Sequence, residues 1–162
     1  MRVEQIDAGD EAAFDAWFAV WLATDFELWP DKPGWQRAER LAMARDSDGP
    51  EEHRCLVAHD GEGGGRVLGV ADLELYRREN LHLGRVWIRV PLANRRRGAG
   101  SAVLRAAERI AADNGRTELG GWDEIPMRGG YVNAAGPFSA SSSSHFDGLK
   151  CCMVERGGRG RG

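Results

Sequence analysis

Large hydrophobic residues recur near the start of the chain with the spacing of one helical face. They stand at positions i, i+3, i+4, i+7 and i+8, namely Phe14, Trp17, Phe18, Trp21 and Leu22. This spacing predicts an amphipathic helix, and Asp10 in front of it is a plausible N-cap. An aromatic stripe of this kind can line a ligand site, but it packs into a core more often, and that is our expectation here.

A second helix is predicted after a loop. Residues 29–34 contain two prolines and a glycine, which interrupt any helix. Residues 35–45 return to helical composition, with Ala38, Leu41 and Ala42 on a shared face.

The pattern changes to that of strands between residues 53 and 90. Residues 53–59 and 67–76 are separated by a glycine-rich turn, which predicts a β-hairpin. The turn could instead cradle a phosphate, but no helix follows it to supply aligned amides. Residues 86–90 are rich in β-formers. Short turns between these strands predict an antiparallel meander, which residues 2–6 could extend as a first strand.

A third helix and a fifth strand follow. Val103, Leu104, Ala107 and Ile110 lie on one face of the helix predicted over residues 101–112. The Asn-Gly pair at 114–115 ends it, since glycine is favoured just past a helix C-terminus. Residues 117–122 are predicted to form the strand.

The remainder of the chain has a different composition. Residues 139–144 are five serines and one alanine, and residues 157–162 are only glycine and arginine. Such segments cannot bury enough apolar surface to offset the entropy of ordering them. We therefore expect disorder from about residue 139, apart from a short strand that residues 149–154 could add.

Composition excludes several classes of protein. A length of 162 residues suits one domain, and a net charge of -3 gives no general attraction to nucleic acid or anionic membranes. The three cysteines, Cys55, Cys151 and Cys152, have neither a disulfide framework nor zinc-ligand spacing, so we expect free thiols and no metal. The N-terminus resembles no signal peptide and no apolar run approaches about 20 residues, so a cytoplasmic location is expected.

Chemistry concentrates where the strand at 86–90 runs into the third helix. The connecting segment has three arginines and two glycines: Arg95, Arg96, Arg97, Gly98, Ala99 and Gly100. The first turn of a helix leaves backbone amides without intrahelical partners at the positive end of the helix dipole. Glycines let a phosphate approach closely, and arginines attract it. The order of these features predicts a diphosphate site, with a tight turn bearing a solvated basic face as the alternative.

Two other phosphate-binding loops do not fit these residues. The nucleotide loop of P-loop enzymes needs lysine followed by serine or threonine after its last glycine, whereas Ser101 and Ala102 follow here. The dinucleotide fingerprint needs a third glycine, whereas Val103 occupies that position.

The segment from Arg89 to Leu104 resembles the acyl-CoA signature of the GNAT N-acyltransferase superfamily. That signature is Gln or Arg, two residues, Gly, one residue, then Gly or Ala, and Arg95, Gly98 and Gly100 fill its positions. The order of predicted elements before it also matches. The resemblance covers residues 1–138 and implies an α/β (α+β) acyl-CoA N-acyltransferase fold, with a mixed, mostly antiparallel sheet flanked by helices. Residues 139–162 would be a low-complexity tail.

The resemblance also implies the cosubstrate and its binding residues. Acetyl-CoA would place its pyrophosphate on the main chain of the loop and align its acetyl carbonyl and pantetheine on the preceding strand. The residues that this implies are Ile88, Arg89, Val90, Arg95, Arg96, Arg97, Gly98, Ala99, Gly100 and Ser101.

The last third of the chain departs from the family pattern. The family continues with a helix and two strands that usually carry a general-acid tyrosine, whereas Tyr131 comes too early to match. A truncated or frameshifted product and one half of a tandem two-domain acyltransferase both remain open. A homodimer or a tandem-domain partner is equally open.

Acyl transfer to an amine needs a general base. Glu74 and Asp72 are the first candidates, because they lie on one face of a strand predicted next to the strand at residues 86–90. The alternative is that this face is simply solvated. Asp123 and Glu124 are second candidates. Two histidines, His82 and His145, are weaker, and no cysteine has a pattern of partners for nucleophilic catalysis.

These features predict an N-acetyltransferase acting on an amine of a small molecule or a protein. The alternatives are a non-catalytic acyl-CoA-binding or partner-binding domain and a vestigial fragment. No nucleic-acid or membrane partner is expected.

Overall fold

The computed structural model describes residues 1–61 and 65–121 with their side chains, and the backbone of four short later strands. Three helices are present in this part: α1 (Glu11–Leu28), α2 (Arg37–Arg45) and α3 (Ala99–Asp113). The strands are β1 (Arg2–Gln5), β2 (Glu51–His59), β3 (Val67–Tyr76), β4 (Leu83–Arg89), β5 (Glu118–Gly121), β6 (Pro126–Met127), β7 (Gly130–Tyr131), β8 (Ser143–Phe146) and β9 (Leu149–Cys152). The order of elements up to β5 is the one that the sequence predicts.

One mixed sheet organises the fold, in the order β1-β2-β3-β4-β5-β9-β8. The strands β1 to β4 are antiparallel neighbours, as the predicted meander requires. The pairs β4–β5 and β5–β9 are parallel, and β8–β9 is antiparallel. The sheet is therefore mixed and mostly antiparallel, which confirms the predicted fold class.

Helices cover both faces of the sheet. On one face, α3 buries an aliphatic core that includes Leu56, Leu73 and Val103. On the other, α1 buries its aromatic residues against Cys55, Val57 and Val70 of β2 and β3. Since successive strand residues point to opposite faces, the two cores share the same strands.

The first helix confirms the prediction from hydrophobic spacing. Asp10 caps it, because its side chain accepts hydrogen bonds from the amides of Ala12 and Ala13, both at 3.1 Å. Phe14, Trp17, Phe18 and Trp21 are buried, while Leu22 is partly buried. The indole Nε1 of Trp17 donates to the carbonyl of Ala71 at 3.0 Å, which ties α1 to β3. The aromatic stripe is therefore core.

The structure describes only two short strands in the predicted tail, residues 139–162. The strand Leu149–Cys152 falls where a short strand was expected, and it pairs with Ser143–Phe146. The other residues beyond 138 lie outside the described part of the chain, so the predicted disorder stays a prediction. Among the helices described, none is long and apolar enough to span a membrane.

Candidate functional site

The loop between β4 and α3 has the geometry of an anion site. A short turn of 3-10 helix (Leu92–Asn94) leads from β4 into the arginines. Gly98 adopts a left-handed conformation, with φ of 82°, and caps α3. The first intrahelical hydrogen bond joins the amide of Ala102 to the carbonyl of Gly98 at 2.9 Å. The amides of Ala99, Gly100 and Ser101 consequently have no partner within the helix.

The loop is open on one side and anchored on the other. Arg95, Arg96, Arg97 and Gly98 are exposed, and a Cβ added at Gly98 would meet nothing within 4 Å. Asn94 is buried, and its Nδ2 donates to the carbonyl of Leu68 at 3.1 Å. The arginine side chains and the free amides at the start of α3 are therefore exposed on a loop that Asn94 anchors to β3.

Strand β4 runs on past the end of its parallel neighbour, β5. β4 and β5 pair from Leu83 opposite Glu118 as far as Val86 opposite Gly121. β4 continues to Arg89, and this stretch still pairs with β3 on its other side. From Trp87 onward, β4 therefore has no register partner in β5 as described.

The two predicted carboxylates lie on the α1 side of the sheet in different surroundings. Asp72 is only 1% exposed and contacts Arg40 of α2, with 2.7 Å between Oδ2 and Nη2. Its Oδ2 and Oδ1 also lie 3.0 and 3.2 Å from Nδ1 of His53. Glu74 is half-buried, and its Oε1 accepts a hydrogen bond from Nε1 of Trp87 at 3.0 Å. Asp72 is thus enclosed by Arg40 and His53, while Glu74 stays half-buried beside Trp87.

The cluster of Asp72, Glu74 and His53 contains two groups, Glu74 and His53, whose pKa values are raised above their ordinary values. Burial raises the pKa of Glu74, the nearby Asp72 raises it further, and His53, Trp87 and Arg85 oppose the change. Burial lowers the pKa of His53, but its hydrogen bond to Asp72 and the charges of Asp72 and Glu74 outweigh burial and raise it. A carboxyl with a raised pKa binds a proton more readily, which suits a general base.

Tryptophans and arginines stack alternately beside the carboxylates. The guanidinium of Arg40 lies 4.5 Å from the ring centroid of Trp21 and 5.3 Å from those of Trp17 and Trp35. The guanidinium of Arg89 lies 4.8 Å from the ring centroid of the same Trp21. Nε of Arg89 also pairs with Oδ1 of Asp25 in α1 at 2.7 Å. Cation–π contacts therefore connect the buried ion pair to Arg89, the last residue of β4.

A metal centre fits the carboxylates less well than an ion-pair network. One ring nitrogen of His53 and one oxygen each of Asp72 and Glu74 all lie within 4.8 Å of one another. However, the guanidinium of Arg40 already compensates the charge of Asp72. Such an arginine in direct contact would repel a divalent cation.

The other predicted candidates contribute less. His82 is exposed in the turn before β4. Asp123, Glu124 and the side chain of His145 lie outside what the structure describes. Burial raises the pKa of the Cys55 thiol to about 12, which removes it as a nucleophile at neutral pH.

Three residues that contact the two carboxylates were not predicted from the sequence: Arg40, His53 and Trp87. Arg40 has an ordinary helix propensity and Trp87 an ordinary strand propensity, so neither carries a local functional signal. His53 could have been found from the hairpin, since the β2–β3 register sets it opposite Glu74.

Comparison with known proteins gives consistent results. The family model described as "Acetyltransferase (GNAT) family" matches residues 14–124. An aminoglycoside N(6')-acetyltransferase type 1 from Klebsiella aerogenes is 35% identical over 136 residues, which cover 79% of each chain.

Solved structures show the same fold. A tandem GNAT protein from the clavulanic acid biosynthesis pathway superposes with a TM-score of 0.65 and 23% identity, covering 84% of this chain and 40% of that one. The chain therefore spans less than half of the tandem protein. An aminoglycoside 6'-N-acetyltransferase complexed with coenzyme A has a TM-score of 0.52 and 15% identity, covering 72% of this chain and 58% of that one.

Proposed function

Since this chain belongs to the GNAT acetyltransferase family, we propose that it transfers an acetyl group from acetyl-CoA to the amine of a small molecule. One observation carries the proposal. An open, arginine-rich helix N-terminus lies at the end of β4, and the same strand carries the indole that contacts Glu74. An anion site and a candidate base are thus joined by one rigid element.

The loop would hold the pyrophosphate of acetyl-CoA. Its donors would be the amides from Arg96 to Ser101, and the three exposed arginines would add attraction. The backbone of Ile88, Arg89 and Val90 would align the pantetheine, because the chain continues there past the described pairing of β4 with β5, which ends at Val86. The unpaired edge of a strand offers donors and acceptors in a row.

Acetyl-CoA supplies the activated acyl group as a thioester. Glu74 would take a proton from the bound ammonium, directly or through one water, so that the nitrogen can attack the carbonyl carbon. A backbone amide of β4 would stabilise the oxyanion until the carbon–sulfur bond breaks. Coenzyme A would leave as the thiolate and take up the second proton that the attacking nitrogen loses, which gives the amide and free coenzyme A thiol. Asp72 would hold its neighbours in place, since Arg40 and His53 enclose it.

The acceptor we favour is a polycationic small molecule of the aminoglycoside class. The relative that shares 35% identity acts on such a compound by its name. The half-buried carboxylate of Glu74 would attract an ammonium group. A peptide amine is the competing acceptor and belongs in the same assay.

The test measures acetyl-CoA binding and turnover separately. Isothermal titration of the purified chain should show binding of acetyl-CoA, and aminoglycosides should then release free coenzyme A thiol. No binding at high micromolar acetyl-CoA would overturn the proposal. Binding without turnover across aminoglycosides, simple amines and peptides would favour the alternative of a non-catalytic acyl-CoA-binding domain.

A further inference from the structure

His53 occupies a defined place beside the candidate base. It stands directly opposite Glu74 in the antiparallel pair of β2 and β3. Residues opposed in this way have their Cβ atoms about 4.5–5.5 Å apart. One ring nitrogen of His53 lies within 4.8 Å of a Glu74 carboxylate oxygen. The imidazole and this carboxylate are therefore electrostatic neighbours.

The ring of His53 is held in one orientation. Nδ1 lies 3.0 Å from Oδ2 and 3.2 Å from Oδ1 of Asp72. The guanidinium of Arg40 pairs with the same carboxylate, which keeps it an acceptor. Since a carboxylate only accepts, the proton of this hydrogen bond belongs to Nδ1. Nε2 is then the atom that gains or loses a proton when the ring titrates.

We infer that His53 is a positioning residue for the proposed reaction, and that its protonated ring holds Glu74 in the ionised form that can accept a proton. This inference rests on the proposed function. The other ionisable groups near the pair are Arg40 from α2, Asp72 and Tyr76 from the same strand as Glu74, and Arg85 from β4. From α1, the uncharged indoles of Trp17 and Trp21 lie against Arg40.

The charges around Glu74 determine how readily its carboxyl holds a proton, and His53 is one of them. Burial and Asp72 both push Glu74 toward its protonated form, and His53 is the first of the groups that push it back. Without the imidazolium, Glu74 would keep its proton to a higher pH. Fewer molecules would then carry the base at a given pH.

The first test is the pH dependence of kcat/KM for His53→Gln, which keeps a polar amide but cannot be charged. We expect the acidic limb to move to higher pH, with the plateau at high pH retained. His59→Gln is the matched control, because His59 lies on the same strand and contacts Glu4 and Gly65 instead. An unmoved limb, or an equal loss at every pH, would overturn the inference.

The second test needs no turnover and covers the case in which His53→Gln does not fold. Histidine NMR titration of the full chain should show a lower midpoint for His53 in Glu74→Gln than in the wild type. The exposed Glu79→Gln should leave that midpoint unchanged. An equal midpoint in Glu74→Gln would refute the coupling. Absence of acetyl transfer to every amine would defeat the proposed function and leave this measurement valid.

Discussion

The guanidinium of Arg40 meets the carboxylate of Asp72 at 2.7 Å in the interior of the protein, where the two side chains are 6% and 1% exposed. The ring centroids of three indoles lie 4.5 to 5.3 Å from the guanidinium. The pair fixes α2 against β3, and its carboxylate also holds His53. A buried ion pair of this kind therefore orders the surroundings of Glu74.

Replacing Arg40 with methionine should destabilise the fold strongly. The change leaves the carboxylate of Asp72 buried without its principal counter-charge, and loss of one partner of a buried pair costs about 3–5 kcal/mol. Urea unfolding measures the free energy directly. Arg37→Met, three positions earlier in α2, removes exposed ion pairs to Asp15 and Glu11 and should leave the midpoint unchanged. Equal midpoints for the two variants would contradict the prediction.

Replacing Glu74 with glutamine should abolish most turnover while acetyl-CoA still binds. A positioned general base contributes about 10²–10⁴-fold to the rate, and glutamine cannot accept the proton. It still offers an oxygen to Nε1 of Trp87, so the local packing is preserved. Steady-state kinetics and titration calorimetry separate the two effects. Unaltered turnover would eliminate Glu74 as the base.

The wild-type reaction should lose activity on acidification earlier than an ordinary glutamate would allow. Burial and Asp72 raise the pKa of Glu74 above its usual 4.5. The carboxylate is present above the raised pKa and is lost as the pH falls through it. A profile of kcat/KM against pH should therefore show an acidic limb above pH 4.5. A flat profile down to that pH would contradict the assignment.

Adding a side chain at Gly98 should weaken acetyl-CoA binding. The φ of 82° makes alanine unfavourable there by about 1–2 kcal/mol, and its methyl group would extend into the proposed diphosphate site. Loss of one charge-assisted hydrogen bond, about 1.5–3 kcal/mol, corresponds to roughly 10–100-fold in affinity. Calorimetry with Gly98→Ala checks this.

A second glycine provides the control for backbone strain. Gly115 follows α3 with φ of 75°, and a Cβ there also meets nothing within 4 Å. Gly115→Ala should therefore destabilise the fold about as much as Gly98→Ala and leave acetyl-CoA affinity unchanged. Equal affinities in the two variants would mean that the loop does not hold the cosubstrate.

Binding of acetyl-CoA should weaken as salt is added. Arg95, Arg96 and Arg97 are exposed, and the Debye length is only about 10 Å at 0.1 M ionic strength. Arg97→Gln should lower the affinity and flatten its dependence on salt. Arg109→Gln, on the exposed face of α3 remote from the loop, should change neither. A salt-independent affinity of the wild type would contradict an electrostatic role for the arginines.

Local features were predictable because their causes are contiguous in the chain. The period of Phe14, Trp17, Phe18 and Trp21 identified a buried helical face, and those side chains are buried. The strand, arginines, glycines and helix from residue 86 onward form one uninterrupted segment, and the structure reproduces that order. The alternation of Asp72 and Glu74 likewise placed both on one face.

Contacts between distant elements were not predictable in the same way. Arg40 and His53 come from α2 and β2, and their approach to Asp72 depends on helix packing and strand register together. Charged residues on short helices are usually solvated, so no local signal distinguishes Arg40. The different burial of Asp72 and Glu74 also depends on where α1 and α2 cover the sheet.

The sequence alone determined the family, the order of elements up to β5 and the position of the arginine-rich helix N-terminus, because hydrophobic period and glycine placement act over a few neighbouring residues. Tertiary structure decided which carboxylate is enclosed by Arg40 and His53 and which stays half-buried beside Trp87. Burial and charge neighbours arise only when strands pair and helices pack, and these quantities set the ionisation on which the proposed chemistry depends.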